Sequence, residues 1–238
     1  MLVEVDCICK KFDISYWLDG GSALGAVRHG GFIPWDDDVD IAVMIEDYPK
    51  LVSILEHELP EQFVVQNIHN EKLFHFTHTR VVDTKSLSDY GDRQPFRKEF
   101  KYQGVFLDVF FIEKGNVAIK KIIEPVYLRS FRLRNLGDKM YKRILGHISW
   151  PVLSMIVFIH RMIYKIIPTD RYIFGFGIPF PREFKKDEIF PPKPIKFVDA
   201  DVMGPNKPDE YLTRYFGDYM KIPPEEKRIT HAERIEIY

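Results

Sequence analysis

The chain has 238 residues, with 34 basic and 35 acidic side chains, a formal charge of −1, and 45% hydrophobic, 29% charged and 14% aromatic residues. That length can bury a sizeable core, and so apolar a chain with so little net charge is not a disordered one. The overall basic character that nucleic-acid binders use is absent, so no nucleic-acid partner is expected.

Two cysteines, Cys7 and Cys9, supply neither a disulfide framework nor a complete metal site, and they read as small apolar side chains in a reducing compartment. Glu4 and Asp6 stand where a secretion signal needs an apolar run, so a cytoplasmic chain is expected.

In chain order, Cys7–Phe12 reads as the end of a helix and Tyr16–Leu18 as a short strand running into Asp19-Gly20-Gly21-Ser22. A helix is expected over Ala23–Val27 with Ser22 as its cap, broken by His29-Gly30-Gly31 and followed by a turn at Pro34. Val39–Met44 is an apolar strand interrupted by Asp40, and Glu46–Leu59 is an amphipathic helix. Phe63–Gln66 and His75–Val82 are strand-like, and Gly104–Ile112 is the most apolar strand candidate. The mixture predicts an α/β or α+β core over residues 1–113. A basic helical segment over 114–179 and a Pro-rich segment over 180–238 follow, the latter packing on the core, all within one structural domain.

Charge is distributed unevenly. Between Lys114 and Arg171, twelve Lys or Arg face only Glu124, Asp138 and Asp170, so this segment carries +9 and the remainder −10. Pro125, Pro151 and Pro168 are expected to break its helices. Its most apolar run, Ile148–Ile159, falls short of the ~20 residues a spanning helix needs. Two readings stay open: a helical lobe packed on the core with a solvated basic face, or a basic amphipathic surface making peripheral contact with anionic lipid.

The chemistry gathers around Asp38 and Asp40. In a strand their side chains share one face, with Cα atoms ~6.5 Å apart, and two such carboxylates suit Mg²⁺ or Mn²⁺. Asp36 and Asp37 follow Pro34-Trp35 and read equally as a solvated turn or as added ligands. Asp108 lies inside Val105–Phe111, where a lone buried charge would cost several kcal/mol, roughly, unless paired with an arginine or bound to a metal. A third carboxylate for a metal site explains it better. Gly20-Gly21-Ser22 would let backbone approach a phosphate at a helix N-terminus. Together these residues describe a nucleotidyltransferase-type site for phosphoryl transfer. His75 and His78, separated by two residues, fall on opposite faces of a strand, which argues against a zinc pair. Phe106, Phe110 and Phe111 read as core.

Gly21-Ser22-Ala23-Leu24-Gly25-Ala26-Val27-Arg28-His29 followed by Gly31-Phe32-Ile33-Pro34-Trp35-Asp36-Asp37-Asp38-Val39-Asp40 closely resembles the signature of the LicD family, phosphocholine-transferring enzymes related to fukutin and fukutin-related protein. Leu107-Asp108-Val109-Phe110, Phe190-Pro191-Pro192-Lys193 and Tyr211-Leu212 through Gly217-Asp218-Tyr219-Met220 to His231 continue the likeness. It leaves out the basic segment. Phe197-Val198-Asp199 stands where the family often has a Phe-Glu-Gly step, Tyr215-Phe216-Gly217 carries an extra phenylalanine, and the N-terminus is shorter than usual.

The resemblance implies a polymerase-β-like nucleotidyltransferase fold. It also implies metal-dependent transfer of phosphocholine, or a similar substituted phosphate, from a CDP-linked donor to a cell-surface glycan of lipopolysaccharide, teichoic acid or capsule type, releasing CMP. Asp38, Asp40 and Asp108 would be the catalytic, metal-binding set. Gly20, Gly21, Ser22, Arg28, His29, Arg80 and Arg228 are the candidate nucleotide and phosphate contacts. Arg28 has a salt bridge to Asp36–Asp38 as its alternative, and Arg228 and His231 either close over the donor or serve structure. The alternative functions are a nucleotidyltransferase that uses an NTP and releases pyrophosphate, and a non-catalytic nucleotide-binding relative.

Overall fold

The first ten-residue helix, α1 (Leu2–Lys11), follows from its spacing: Val5, Ile8 and Cys9 share one buried face, while Glu4 near the start and Lys10 and Lys11 at the end suit the helix dipole. Cys9 is buried and Cys7 exposed. This computed structural model describes residues 1–71, 73–93, 95–228, 230 and 232–238, of which Arg93, Pro95 and Phe96 by backbone alone.

β1 (Tyr16–Leu18) leads directly into α2 (Gly20–His29), which begins earlier than expected because Asp19, and not Ser22, is its N-cap residue. Ser22 lies inside the helix, and its hydroxyl instead accepts the Asp40 backbone N–H at 2.8 Å. Gly30 ends the helix in the left-handed conformation, φ +71, which a side chain would disfavour. β2 (Val39–Met44), α3 (Tyr48–Glu58) and β3 (Phe63–Gln66) follow.

β4 is Thr79–Asp83, shorter than the predicted His75–Val82 strand. β3 ends opposite Arg80, where the chain leaves through a turn closed by Asn67 and Asn70 side-chain bonds, so residues 75–78 have no strand beside them there. β5 (Ser86–Asp89) and β6 (Phe106–Lys114) complete this half of the chain.

Next come α4 (Val117–Leu136) and α5 (Met140–Ile166), an antiparallel helical hairpin. Pro125 and Pro151 sit inside these helices and do not end them. Both prolines are exposed, so the carbonyl each leaves unbonded can meet water, and packing of Trp150 on Tyr127 and Phe131 holds the pair together. α5 is 27 residues long and, by length and composition, apolar enough to cross a membrane, which the shorter apolar run had not indicated.

Lys120, fully buried, donates to Glu124 and to the Gly175 carbonyl, Glu124 accepts the Gly177 N–H, and Arg161 reaches Glu113 at 2.6 Å. These charged contacts dock the hairpin on the sheet. Then come β7 (Arg171–Phe174), β8 (Glu183–Lys185), α6 (Lys186–Ile189), β9 (Lys193–Phe197), β10 (Ala200–Gly204), α7 (Pro208–Phe216) and β11 (Arg234–Ile237).

The main sheet runs β1-β2-β6-β4-β3, with β7 on the C-terminal half of β6 and β8 on β7. β2 and β6 are parallel; the other pairs are antiparallel. β6, the longest strand among the described residues and buried along all but its last residue, lies at the centre, and β7 and β8 bring residues beyond 113 into the sheet. The core includes Trp17, Leu18, Ile41, Leu51, Leu107, Val109 and Tyr211. From the last third of the chain, β10 packs on β1 and α7 on α2. This mixed, mainly antiparallel sheet with, among the described residues, seven α-helices is an α+β nucleotidyltransferase-like fold.

Candidate active site

At the end of β1 the Asp19 N–H bonds the Asp40 carbonyl at 2.9 Å, which fixes the start of α2 against the start of β2. Gly20 takes φ +47, and a Cβ there would lie 3.3 Å from the Tyr215 hydroxyl and 3.5 Å from Asp40 Oδ2. A Cβ on Gly21 would come within 2.5 Å of Asp36 Oδ2. The two glycines therefore let the positive N-terminal end of α2 meet carboxylates closely.

Parallel pairing of β2 with β6 puts Asp40 and Asp108 opposite each other in register. Asp38 stands one residue before the strand, on the same side as Asp40 by alternation, and all three carboxylates line one cleft of about 640 Å³. Gly20, Gly21, Arg28 and Asp36 also line it.

Burial, reinforced by Asp38, Asp108, Asp19 and Asp36, pushes the Asp40 carboxyl well above the ordinary carboxylate range. Burial also works against charge on Asp108, but Arg80 and His78 outweigh it and hold that carboxyl well below the range. Arg80 donates from Nε to Oδ1 at 2.6 Å and from Nη2 to Oδ2 at 3.2 Å, and His78 Nε2 lies 3.2 Å from Oδ2. The buried acid in β6 is thus paired with an arginine. Held ionised, it acts electrostatically and is a poor proton acceptor.

Arg80 itself is buried, its guanidinium 4.0 Å from the Phe106 ring centre and 4.6 Å from that of Phe76, and it is not on the cleft wall. A phosphate would have to compete with Asp108 for it. His78 joins this cluster, packing on Phe110.

Arg28 lines the cleft and donates from Nη1 to the Tyr219 carbonyl at 2.7 Å. His29 accepts from Arg28 Nε and packs edge-on against Trp35, away from the wall. Arg228 lies over Trp35, 4.9 Å from its ring centre, and bonds the Pro223 carbonyl, also off the wall. Ser22 is engaged with Asp40 N. Asp37 accepts the Ala232 N–H at 2.7 Å and so ties the C-terminal segment to the acidic turn. His231 lies outside the described residues.

Sequence reasoning missed much of the wall: Lys221 and Lys227 as cations, Asp218 as an acid, and Trp35, Phe180, Tyr215, Phe216 and Tyr219 as aromatic faces. It also missed Asp19, fully buried beside Asp40, which accepts from the Tyr211 hydroxyl and is pushed up by burial to about 6. Its place before Gly20 was the available signal.

Among the described residues no three His, Cys, Asp or Glu side chains already form a cage for a cation. The donor chemistry nevertheless fits a hard divalent ion. Asp38 and Asp40 offer carboxylate oxygens on the cleft, and the neighbouring carboxylates that add to the effect of burial on Asp40 are an excess of negative charge that such an ion relieves.

Fold and cleft together define a nucleotidyltransferase-like protein whose acidic strand ends face a cationic and aromatic wall. The family model described as the LicD/FKTN/FKRP nucleotidyltransferase domain matches residues 13–137, and the chain belongs to that family. It is 29% identical to the lipopolysaccharide cholinephosphotransferase LicD of Haemophilus influenzae, over 94% of this chain and 89% of that protein. An uncharacterized protein of Rickettsia typhi is 60% identical over half of this chain and 40% of its own length. Human ribitol 5-phosphate transferase FKRP is 62% identical over 40 residues, 17% of this chain and 8% of that protein.

Proposed function

We propose that this LicD-family phosphotransferase moves phosphocholine from a CDP-linked donor to a hydroxyl of a cell-surface glycan and releases CMP. The observation that carries the reading is the in-register pair Asp40 and Asp108, beside the N-terminus of α2 on one cleft of about 640 Å³, a size suited to a small-molecule donor. Arg28, Lys221 and Lys227 would hold the donor's phosphates. Trp35, Phe180, Tyr215, Phe216 and Tyr219, with Asp218, form a wall suited to a quaternary ammonium, which ring faces attract and which makes no hydrogen bond. That wall favours choline over a polyol such as ribitol, whose hydroxyls need donors and acceptors.

The acceptor oxygen would attack the β-phosphorus in line as the bond to CMP breaks, and the hydroxyl proton would leave to solvent. Asp38 and Asp40 would hold Mg²⁺ or Mn²⁺, with Asp108 adjacent, and the ion when bound would neutralise charge on the phosphates. Arg80 positions Asp108 by its two hydrogen bonds. The cytoplasm is the compartment this reading proposes.

The test is CMP release from CDP-choline, CDP-ribitol and CDP-glycerol in the presence of Mg²⁺ and a lipopolysaccharide acceptor. CDP-choline should be preferred, and Asp40→Asn should lower turnover by about a hundredfold or more. Pyrophosphate released from CTP, or turnover indifferent to Asp40→Asn, would overturn the reading.

A further inference from the structure

α5 divides into strips of different chemistry. Gly146, Trp150, Leu153, Val157 and His160, three or four residues apart, turn inward toward α4 and Phe176. Ile144, Ile148, Val152, Met155, Ile159 and Ile166 all point outward, and Ile148, Val152 and Ile166 are 66%, 61% and 77% exposed. At 100° per residue these six fall within about 80° of arc, forming one apolar stripe along a helix about 40 Å long. Arg143, His147 and Lys165 fall together on the strip beside it, all exposed. Lys121, Arg129, Arg132 and Lys139 add exposed positive charge on the same hairpin.

We propose that this face of α5 lies in the plane of an anionic phospholipid surface, the apolar stripe entering the headgroup boundary and the basic strip meeting lipid phosphates. Charge selects the occupant: the segment from Lys114 to Arg171 carries +9, which suits an anionic bilayer and opposes a second copy of the same face. The tethers set the orientation. Arg161 is bonded to Glu113 of the sheet, and the inner strip is committed to α4 and Phe176, so α5 presents one face to lipid and does not cross the bilayer. The inference does not depend on the transferase reading.

Flotation of the whole protein with vesicles of phosphatidylglycerol and phosphatidylcholine, against vesicles of phosphatidylcholine alone, tests it. Binding should be stronger to the anionic vesicles, weaken as salt rises, and be released by alkaline carbonate. The variant Ile148→Ser/Ile159→Ser changes exposed side chains, so its melting temperature should hold while its partitioning falls by about tenfold or more. Arg143→Glu/Lys165→Glu should remove the preference for anionic lipid. Absence of flotation at low salt overturns the proposal, as does resistance to carbonate, which would mean a spanning helix. A dimer in light scattering that Ile148→Ser/Ile159→Ser converts to monomer also overturns it, because the face would then belong to a second copy.

Discussion

Replacing Arg80 by Met tests how far the buried ion pair beneath the cleft supports the fold. Arg80 and Asp108 are each 5% exposed, joined by two hydrogen bonds of 2.6 and 3.2 Å, with Asp40 directly opposite Asp108. Removing one member leaves a buried charge without its partner, a loss of about 3–5 kcal/mol. For a chain of this length that lowers the melting temperature by about 6–20 °C. Asp108→Asn should cost a comparable amount, because it strands the guanidinium among Phe74, Phe76 and Phe106.

The double variant Arg80→Met/Asp108→Asn should lose less than the sum of the singles by at least about 2 kcal/mol, measured by denaturant unfolding at neutral pH. The pH matters. Asp108 is held below its unfolded value, so its contribution is complete above the ordinary carboxylate range and disappears as pH falls through the depressed folded value. Additivity of the two singles within about 0.5 kcal/mol would refute the pairing as a source of stability.

Two glycines of α2 should respond differently to alanine. A Cβ on Gly25 would lie 2.3 Å from the Gly31 carbonyl, which is backbone, so Gly25→Ala should destabilise by about 2–4 kcal/mol in the same unfolding assay. At Gly21 the obstacle is the movable Asp36 carboxylate, so Gly21→Ala should cost under about 1 kcal/mol of stability yet depress turnover. Burial, aided by Arg161 and Lys120, lowers the His160 imidazole to about 4. The unfolded chain therefore takes up this proton first, and stability should fall by up to about 3 kcal/mol as pH drops from about 6.5 toward 4. His160→Phe should flatten that fall; an unchanged pH dependence would show that His160 has no part in it.

Strands bounded by strong local signals were legible in the sequence. Tyr16–Leu18, Val39–Met44 and Phe63–Gln66 are apolar runs between polar or turn residues, and each forms a strand with those limits. Alternation alone set Asp38 and Asp40 on one side, and both line the cleft. Where two local signals compete, the fold chooses between them. Ser22 has the chemistry of a cap, but Asp19 takes the role because β1 delivers the chain to α2 three residues earlier. Pro125 and Pro151 are breakers whose cost is overridden by packing between two long helices.

Partners far apart in the chain left no local trace. β5 pairs with β11, and Asp37 holds Ala232, across spans of well over a hundred residues. The same is true of the cleft wall, where Lys221 and Lys227 arrive beside Asp38 and Asp40 only because α7 packs on α2. The sequence showed that Asp108 was a buried acid needing a partner. That Arg80 is this partner depends on β4 lying beside β6 in the order β2-β6-β4, a matter of strand pairing that no local pattern encodes.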